Sequence, residues 1–149
     1  IDTPDWINVV PITDDGELVC IEQFRHGPDE ITLEIPGGMM DPEDGSPEEA
    51  AWREFREETG YTARTMRSVG WIHPNPALQA TRCHTFVAEG ARPHGPQEFD
   101  GSEDIDLRHV PLADVPRLAT DGTITHALVV VALAFAFGLQ PPRVPGGES

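Results

Sequence analysis

Short apolar runs, separated by polar turns rich in Pro and Gly, make up most of the chain. Runs of five to eight residues that are enriched in Val, Ile and Leu predict β-strands. Segments whose apolar positions recur three to four residues apart predict helices. The predicted strands are residues 7–12, 17–24, 31–35, 66–72, 83–88 and 105–110, and the predicted helices are residues 47–59, 112–121 and 125–139.

The order of these elements predicts the fold class. Strands and helices alternate irregularly, which favours an α/β fold with a mixed β-sheet sandwiched between helices. Segment 125–139 is apolar around its whole circumference, so we expect it to be packed on both sides. At 149 residues the chain fits one domain, which we place at residues 1–140, followed by a disordered tail at 141–149.

The helix at residues 47–59 has clear signals at both ends. Ser46 is a suitable N-cap, Pro47 suits the first helical position, and Gly60 supplies a C-terminal stop. Small and aromatic residues share one side of this helix, and we expect that side to face the core. They are Ala50, Ala51 and Phe55.

Three glutamates share the other side of that helix. Glu54, Glu57 and Glu58 are i, i+3 and i+4, so their carboxylates repel each other by a few kcal/mol, roughly, at intermediate dielectric. Hard cations such as Mg²⁺ or Mn²⁺ relieve that repulsion, because all-oxygen ligands select them over zinc. The alternative is a solvated face with ion pairs such as Arg53 with Glu57. The glycines within residues 36–38 favour the metal site, since they allow close backbone approach and offer carbonyl oxygens.

The charge balance limits the partners. The formal net charge is −16 and every basic residue is Arg, so we expect neither nucleic acid nor a membrane surface as a partner. The acidity fits solubility or adaptation to high salt.

Cys20 and Cys83 form no disulfide motif and no signal peptide is visible, which predicts a cytoplasmic protein. The longest apolar run, residues 127–139, is too short to span a bilayer. The first residue is Ile, which leaves open an upstream N-terminus.

Residues 53–61, REFREETGY, resemble the second half of the Nudix box, R-E-U-x-E-E-x-G-U with U bulky and apolar, at every fixed position. The first half of the box, which carries a Gly and then a Glu, departs in spacing. A one-residue insertion in the loop restores the Gly as Gly38 and brings Asp44, or less neatly Glu43, close to the position of the missing Glu. Loop insertions cost little free energy, and this one bears on the role of that first acidic residue and not on the metal site.

Other short motifs are similar to the ADP-ribose and nucleotide-sugar branch of that family. They are Asn8-Val9-Val10, Gln23-Phe24-Arg25, Glu34-Ile35-Pro36-Gly37-Gly38, Glu103-Asp104-Ile105 and Val110-Pro111-Leu112. Pro76, sixteen residues after Gly60, stands where this branch carries a proline. The resemblance implies the Nudix fold, a homodimer, and hydrolysis of the pyrophosphate bond of a nucleoside diphosphate linked to another moiety, ADP-ribose or a nucleotide sugar. A house-cleaning nucleoside triphosphate pyrophosphatase and an inactive nucleotide-binding sensor remain as alternatives.

The resemblance also implies roles for the matching residues of the box. Glu54, Glu57 and Glu58 would bind Mg²⁺ or Mn²⁺, with the carbonyl of Gly37 completing the shell. Arg53 would orient the glutamates.

Three further assignments concern the substrate and the general base. Arg25 is a candidate to clamp a phosphate oxygen, with a surface ion pair as the alternative. Pro76 is a candidate substrate contact. The position of the branch's base falls on Gly101, which cannot take a proton, so Glu103 or Glu54 would serve instead.

Overall fold

The computed structural model describes residues 3–27, 29–98 and 105–138. Its strands are β1 (Trp6–Ile12), β2 (Glu17–Arg25), β3 (Glu30–Glu34), β4 (Gly37–Met39), β5 (Tyr61–Thr62), β6 (Thr65–Ile72), β7 (Cys83–Glu89), β8 (Arg92–Pro93) and β9 (Ile105–Pro111). Its helices are α1 (Pro47–Thr59), α2 (Val115–Thr120) and α3 (Ala127–Phe137). Every predicted strand and helix is present, with ends shifted by a few residues. The predicted tail at 141–149 lies outside the described residues.

Seven of the strands form one mixed sheet. Its order is β3-β2-β1-β7-β6, with β9 added beside β2 and β4 beside β1. Strands β1 and β7 run parallel, and the other pairs in the sheet are antiparallel. Strand β1 meets β2 at the pair Ile12 and Leu18, whereas the first half of β1, from Trp6 to Asn8, pairs with β4. The chain between β3 and β4 therefore lies beside β1 and leaves polar side chains of β1 and β2 facing a cleft.

Both faces of the sheet are covered, as the pattern predicted. On one face α1 packs over a cluster that includes Ile7, Val9 and Phe86. On the other face α2 and α3 pack over a cluster that includes Val10 and Val87. Consecutive strand residues point to opposite faces, so a strand buried on both sides is a continuous apolar run. This explains the run at the centre of β1.

Some elements were not predicted. Strand β4 consists of Gly37, Gly38 and Met39 and carries no alternating apolar pattern, while β5 and β8 are two residues each. They form only because distant segments offer backbone partners. The predicted helix at 112–121 begins as a 3-10 turn, Leu112–Asp114, and becomes α-helical at Val115. Pro116 then lies in the first turn, where a missing N–H costs nothing.

The prediction that the last helix is packed on both sides was wrong for the single chain described here. Helix α3 buries Val129, Ala132 and Leu133 against the sheet. Phe135 and Phe137 are 38% and 40% exposed. An apolar composition alone cannot tell a helix covered on both sides from one that leaves an apolar face open. Among the described residues, none of the helices has the length and apolarity needed to cross a bilayer.

Candidate active site

Helix α1 is fixed at both ends by the residues that predicted it. The Ser46 hydroxyl oxygen accepts a hydrogen bond from the Glu49 N–H at 3.2 Å, and Gly60 ends the helix at φ +71°. Ala50, Ala51 and Phe55 are fully buried against the sheet. Because these three face the core, the acidic side of the helix is turned towards β4 and the loop that follows it.

The two glycines of β4 are required by close contacts. A Cβ on Gly37 would lie 2.4 Å from Asn8 Oδ1 and 2.5 Å from the Ile7 carbonyl oxygen. A Cβ on Gly38 would lie 2.7 Å from an Oε atom of Glu54. Any side chain at Gly38 would therefore displace the carboxylate of Glu54 from the backbone that it touches.

Arg53 is the centre of a carboxylate cluster. Its Nη1 donates to Glu54 Oε1 at 3.0 Å and to Glu57 Oε2 at 3.2 Å. Its Nη2 donates to the Met39 carbonyl oxygen at 3.3 Å. The remaining donors pair with Asp44, Nε with Oδ1 at 3.0 Å and Nη2 with Oδ2 at 2.8 Å. One guanidinium thus joins α1, β4 and the loop between them.

Asp44 rather than Glu43 takes up the position opposite Arg53. The Asp44 side chain is 8% exposed, while Glu43 is exposed. The backbone N–H of Asp41 also donates to Asp44 Oδ2 at 2.7 Å, which closes the loop around this carboxylate. The hydrogen bond from Arg53 holds the pKa of Asp44 below its usual value. A one-residue insertion in the loop is therefore accommodated with an acidic group still against the arginine.

Glu54 is more enclosed than Glu57, its neighbour on the same side of the helix. Its side chain is 14% exposed, compared with 32% for Glu57. Burial raises the pKa of Glu54, Arg53 opposes that shift, and the charge of Glu57 adds to it. Glu54 is also hydrogen-bonded to Glu58. Two neighbouring carboxylates repel each other when both are ionised, so a cation that binds both is favoured there.

The glutamates of α1 have the chemistry of metal ligands, but their side chains are not already arranged around a single point. Within the described ranges, no three His, Cys, Asp or Glu side chains stand together as a metal-binding group. Glu54 and Glu57 are both paired with Arg53, and Glu58 is a hydrogen-bond partner of Glu54. Their oxygens, beside the glycine backbone of β4, are the donors that hard divalent cations take. A cation bound by both carboxylates would also relieve the repulsion between their charges.

A cavity with several polar side chains adjoins this cluster, and it is lined by residues of both α1 and α3. Gly37, Gly38 and Glu58 form the wall nearest the cluster. The remaining walls come from β1, β2, β3 and the start of α3, and their polar or aromatic members are Trp6, Asn8, Gln23, Glu34 and His126. Glu34 is 5% exposed and accepts a hydrogen bond of 2.5 Å from the Thr32 hydroxyl. The cavity therefore joins the carboxylate cluster to a set of hydrogen-bonding side chains.

The other predicted site residues are either outside the described part of the structure or lie away from the carboxylate cluster. Arg25 ends β2, and its side chain is not among those described. Pro76 lines a separate cavity with His73 and Leu78 in the segment between β6 and β7. Glu103 lies outside the described residues. The structure therefore brings together Arg53, the glutamates of α1 and the glycines of β4, and it does not bring Pro76 to them.

The histidines on either side of the Pro76 segment, His73 and His84, are held by hydrogen bonds. His84 Nε2 lies 2.9 Å from Asp5 Oδ2, and His73 Nδ1 lies 3.3 Å from the Thr81 carbonyl oxygen. His126 caps α3, since its Nδ1 accepts from the Leu128 N–H at 3.1 Å. Sequence reasoning missed the place of His126 in the cavity wall.

The cavity residues had a signal that was not used. Asn8 and Glu34 interrupt otherwise apolar strands, and a polar residue at a position that should be buried indicates a site or a specific hydrogen bond. Both turn out to line the cavity. Trp6 and His126 carried no comparable signal.

Comparison with known proteins agrees with this geometry. Residues 3–131 match the family model of the NUDIX domain. The chain is 29% identical over 133 residues to an ADP-ribose pyrophosphatase of Bacillus subtilis (strain 168), covering 89% of this chain and 71% of the relative. It is 30% identical over 129 residues to the ADP compounds hydrolase NudE of Escherichia coli (strain K12), covering 85% and 67%.

A solved structure described as an ADP compounds hydrolase superposes with a TM-score of 0.80 at 27% identity. The match covers 91% of this chain and 71% of that one. The fold, the box on α1 and the family model all agree. This chain belongs to the Nudix family of hydrolases.

Proposed function

We propose that this enzyme hydrolyses the pyrophosphate bond of a nucleoside diphosphate linked to another moiety, with ADP-ribose or a nucleotide sugar as substrate. One observation carries the proposal: the carboxylate cluster around Arg53 opens, through Glu58 and the glycines of β4, onto a cavity with several polar side chains. The names of relatives support the substrate class. They include ADP-ribose pyrophosphatases and a GDP-mannose pyrophosphatase.

We propose Mg²⁺ or Mn²⁺ as the cofactor. Such a cation neutralises charge on a diphosphate and lowers the pKa of bound water. Glu54, Glu57 and Glu58 supply carboxylate oxygens, and Gly37 supplies a carbonyl oxygen. Arg53 limits the rotamers of Glu54 and Glu57 through the hydrogen bonds described above. The ligands are thus held in place before substrate binds, which reduces the entropy lost on binding.

The attacking water must lose a proton, and we propose Glu103 or Glu54 as its acceptor. The variant Glu103→Gln decides between these two, because Glu54 is also a proposed metal ligand. If Glu103 is the base, Glu103→Gln lowers kcat and leaves the affinity for Mn²⁺ unchanged, whereas parental kcat in this variant leaves Glu54 as the acceptor. We also propose that Arg25 binds a phosphate oxygen and that Pro76 contacts the substrate. The Arg25→Ala variant should raise KM if the clamp exists.

A substrate panel with product identification tests the function. Purified enzyme with Mg²⁺ is given ADP-ribose, nucleotide sugars and nucleoside triphosphates, and the products are separated chromatographically. AMP or another nucleoside monophosphate together with a sugar phosphate is the expected result. Pyrophosphate release from triphosphates alone would replace this assignment with a triphosphate pyrophosphatase. Binding of ADP-ribose without turnover would replace it with a nucleotide sensor.

We further propose a cytoplasmic homodimer that takes a small nucleotide and does not bind nucleic acid. The support for a dimer is a set of large apolar side chains that are exposed, Trp71, Phe135 and Phe137. Buried, unpaired Cys20 and Cys83 fit a reducing compartment. Sedimentation velocity of the parent and of Phe137→Ser tests the dimer. Phe137 is suited to this because Phe135 packs on Gly70 and its loss would disturb the fold.

A further inference from the structure

His126 has one ring nitrogen occupied by the helix that it caps. Its Nδ1 accepts a hydrogen bond from the Leu128 N–H at 3.1 Å. An accepting nitrogen carries no hydrogen, so in the neutral imidazole the hydrogen is on Nε2. The cap therefore fixes the tautomer, and Nε2 is a hydrogen-bond donor.

His126 is also one of the residues that line the cavity beside the carboxylate cluster. His126 lines that cavity together with Glu58, Gly37 and Gly38. Its position is set from the sheet, since Asn8 Nδ2 donates to the Leu128 carbonyl oxygen at 3.2 Å. The Oδ1 of the same Asn8 leaves no room for a side chain on Gly37. One asparagine thus holds the start of α3 against the glycine turn of β4.

The chemistry of the substrate limits what can lie in this cavity. In ADP-ribose and in nucleotide sugars, the diphosphate has a sugar on both sides. A cavity directly beside the diphosphate site therefore receives a sugar in either orientation of the substrate. Its lining suits one, because Gln23 and Glu34 can hydrogen-bond hydroxyl groups and Trp6, 41% exposed, offers an aromatic face.

We infer that His126 is a specificity-determining residue, whose Nε2–H donates a hydrogen bond to a hydroxyl group of the sugar next to the diphosphate. This inference rests on the proposed function, because it needs a nucleoside diphosphate linked to a sugar in the site. It assigns the N-cap residue of α3 two tasks: Nδ1 caps the helix and Nε2 binds the substrate.

Two substitutions separate the tasks. His126→Ser keeps a short oxygen acceptor, a good N-cap, and loses the reach of Nε2. His126→Gln places an amide nitrogen close to the position of Nε2 and loses the short capping group. We expect His126→Ser to raise KM about fivefold to tenfold, as for one lost neutral hydrogen bond, with kcat and thermal midpoint unchanged. We expect His126→Gln to lower the thermal midpoint and keep KM within about twofold of the parent.

Ala127→Gly serves as the matched control, since it weakens the first turn of α3 outside the cavity and keeps the imidazole. It should leave KM unchanged. If His126→Ser has the KM of the parent, or if Ala127→Gly raises KM as much as His126→Ser does, the imidazole is a cap only and the inference is wrong.

A second measurement tests the sugar contact itself. The methyl ester of the nucleoside diphosphate, which lacks the second sugar, and the sugar phosphate alone are used as competitive inhibitors. We expect His126→Ser to weaken one of the two severalfold and the other little. Equal weakening of both would show that His126 contacts phosphate, against this inference. If the parent cleaves no substrate in the panel, the proposed function itself is wrong. If the parent is active and His126→Ser has the same KM, only the inference about His126 is wrong.

Discussion

Arg53 and Asp44, nine residues apart in sequence, form a two-point pair in which Nε and Nη2 of the arginine bind the two carboxylate oxygens at 3.0 and 2.8 Å. The same guanidinium reaches Glu54 and Glu57 with its third nitrogen. A planar, delocalised group that is held on one edge has little freedom on the other. The loop aspartate therefore determines how the glutamates of α1 are presented.

Substitution Asp44→Asn tests this relationship. The loss of one charged acceptor from a pair that is mostly shielded from solvent should lower the free energy of unfolding by about 2 kcal/mol. The glutamates lose part of their orientation, so kcat should fall about tenfold. Urea unfolding and steady-state kinetics measure both. Glu43→Gln, an exposed neighbour, is the control and should match the parent. Equal effects of the two substitutions would rule out a special role for Asp44.

The same pair predicts a pH dependence of stability. The pKa of Asp44 is lowered in the folded protein by the hydrogen bond from Arg53. A lowered folded pKa means that the pair contributes fully above the unfolded value of about 3.9 and loses its contribution as the pH falls through the folded value. The difference in unfolding free energy between parent and Asp44→Asn should therefore be constant near neutral pH and shrink below about pH 4. Urea titrations across that range measure it, and a difference that stays constant in acid would contradict the pairing.

Gly38 gives a steric prediction. An alanine there places its Cβ 2.7 Å from an oxygen of Glu54, so the carboxylate must move away from β4. We expect Gly38→Ala to reduce kcat at least tenfold and to weaken metal binding. Gly27→Ala is the control, because its Cβ would meet nothing within 4 Å. If Gly38→Ala retains parental activity, Glu54 does not act from the position seen here.

Local signals in the sequence were sufficient for α1. Its cap, its stop, its buried face and its acidic face all depend on residues within one helix, and Ser46, Gly60 and Phe55 are placed as predicted. The strands with continuous apolar runs were found for the same reason. Strand β4 was missed because its pairing comes from β1, about thirty residues earlier in the chain, and leaves no periodic pattern of its own.

The cavity could not be predicted because it is assembled from distant segments. Trp6 comes from the first strand and His126 from the last helix, and no spacing rule joins them. The open face of α3 was missed for a related reason. The hydrophobicity of a segment shows that burial would be favourable, but it does not show whether another element covers the segment. Phe137 illustrates this, since it ends an apolar helix and is 40% exposed.

The central claim is that the glutamates of α1 gather a divalent cation at the diphosphate. Electron paramagnetic resonance of free Mn²⁺ during titration of the parent, Glu58→Gln and the control Glu48→Gln tests it directly. The account predicts saturable Mn²⁺ binding by the parent and by Glu48→Gln, and at least tenfold weaker binding with lost hydrolysis in Glu58→Gln. Equal Mn²⁺ affinity and equal hydrolysis in all three proteins would contradict it.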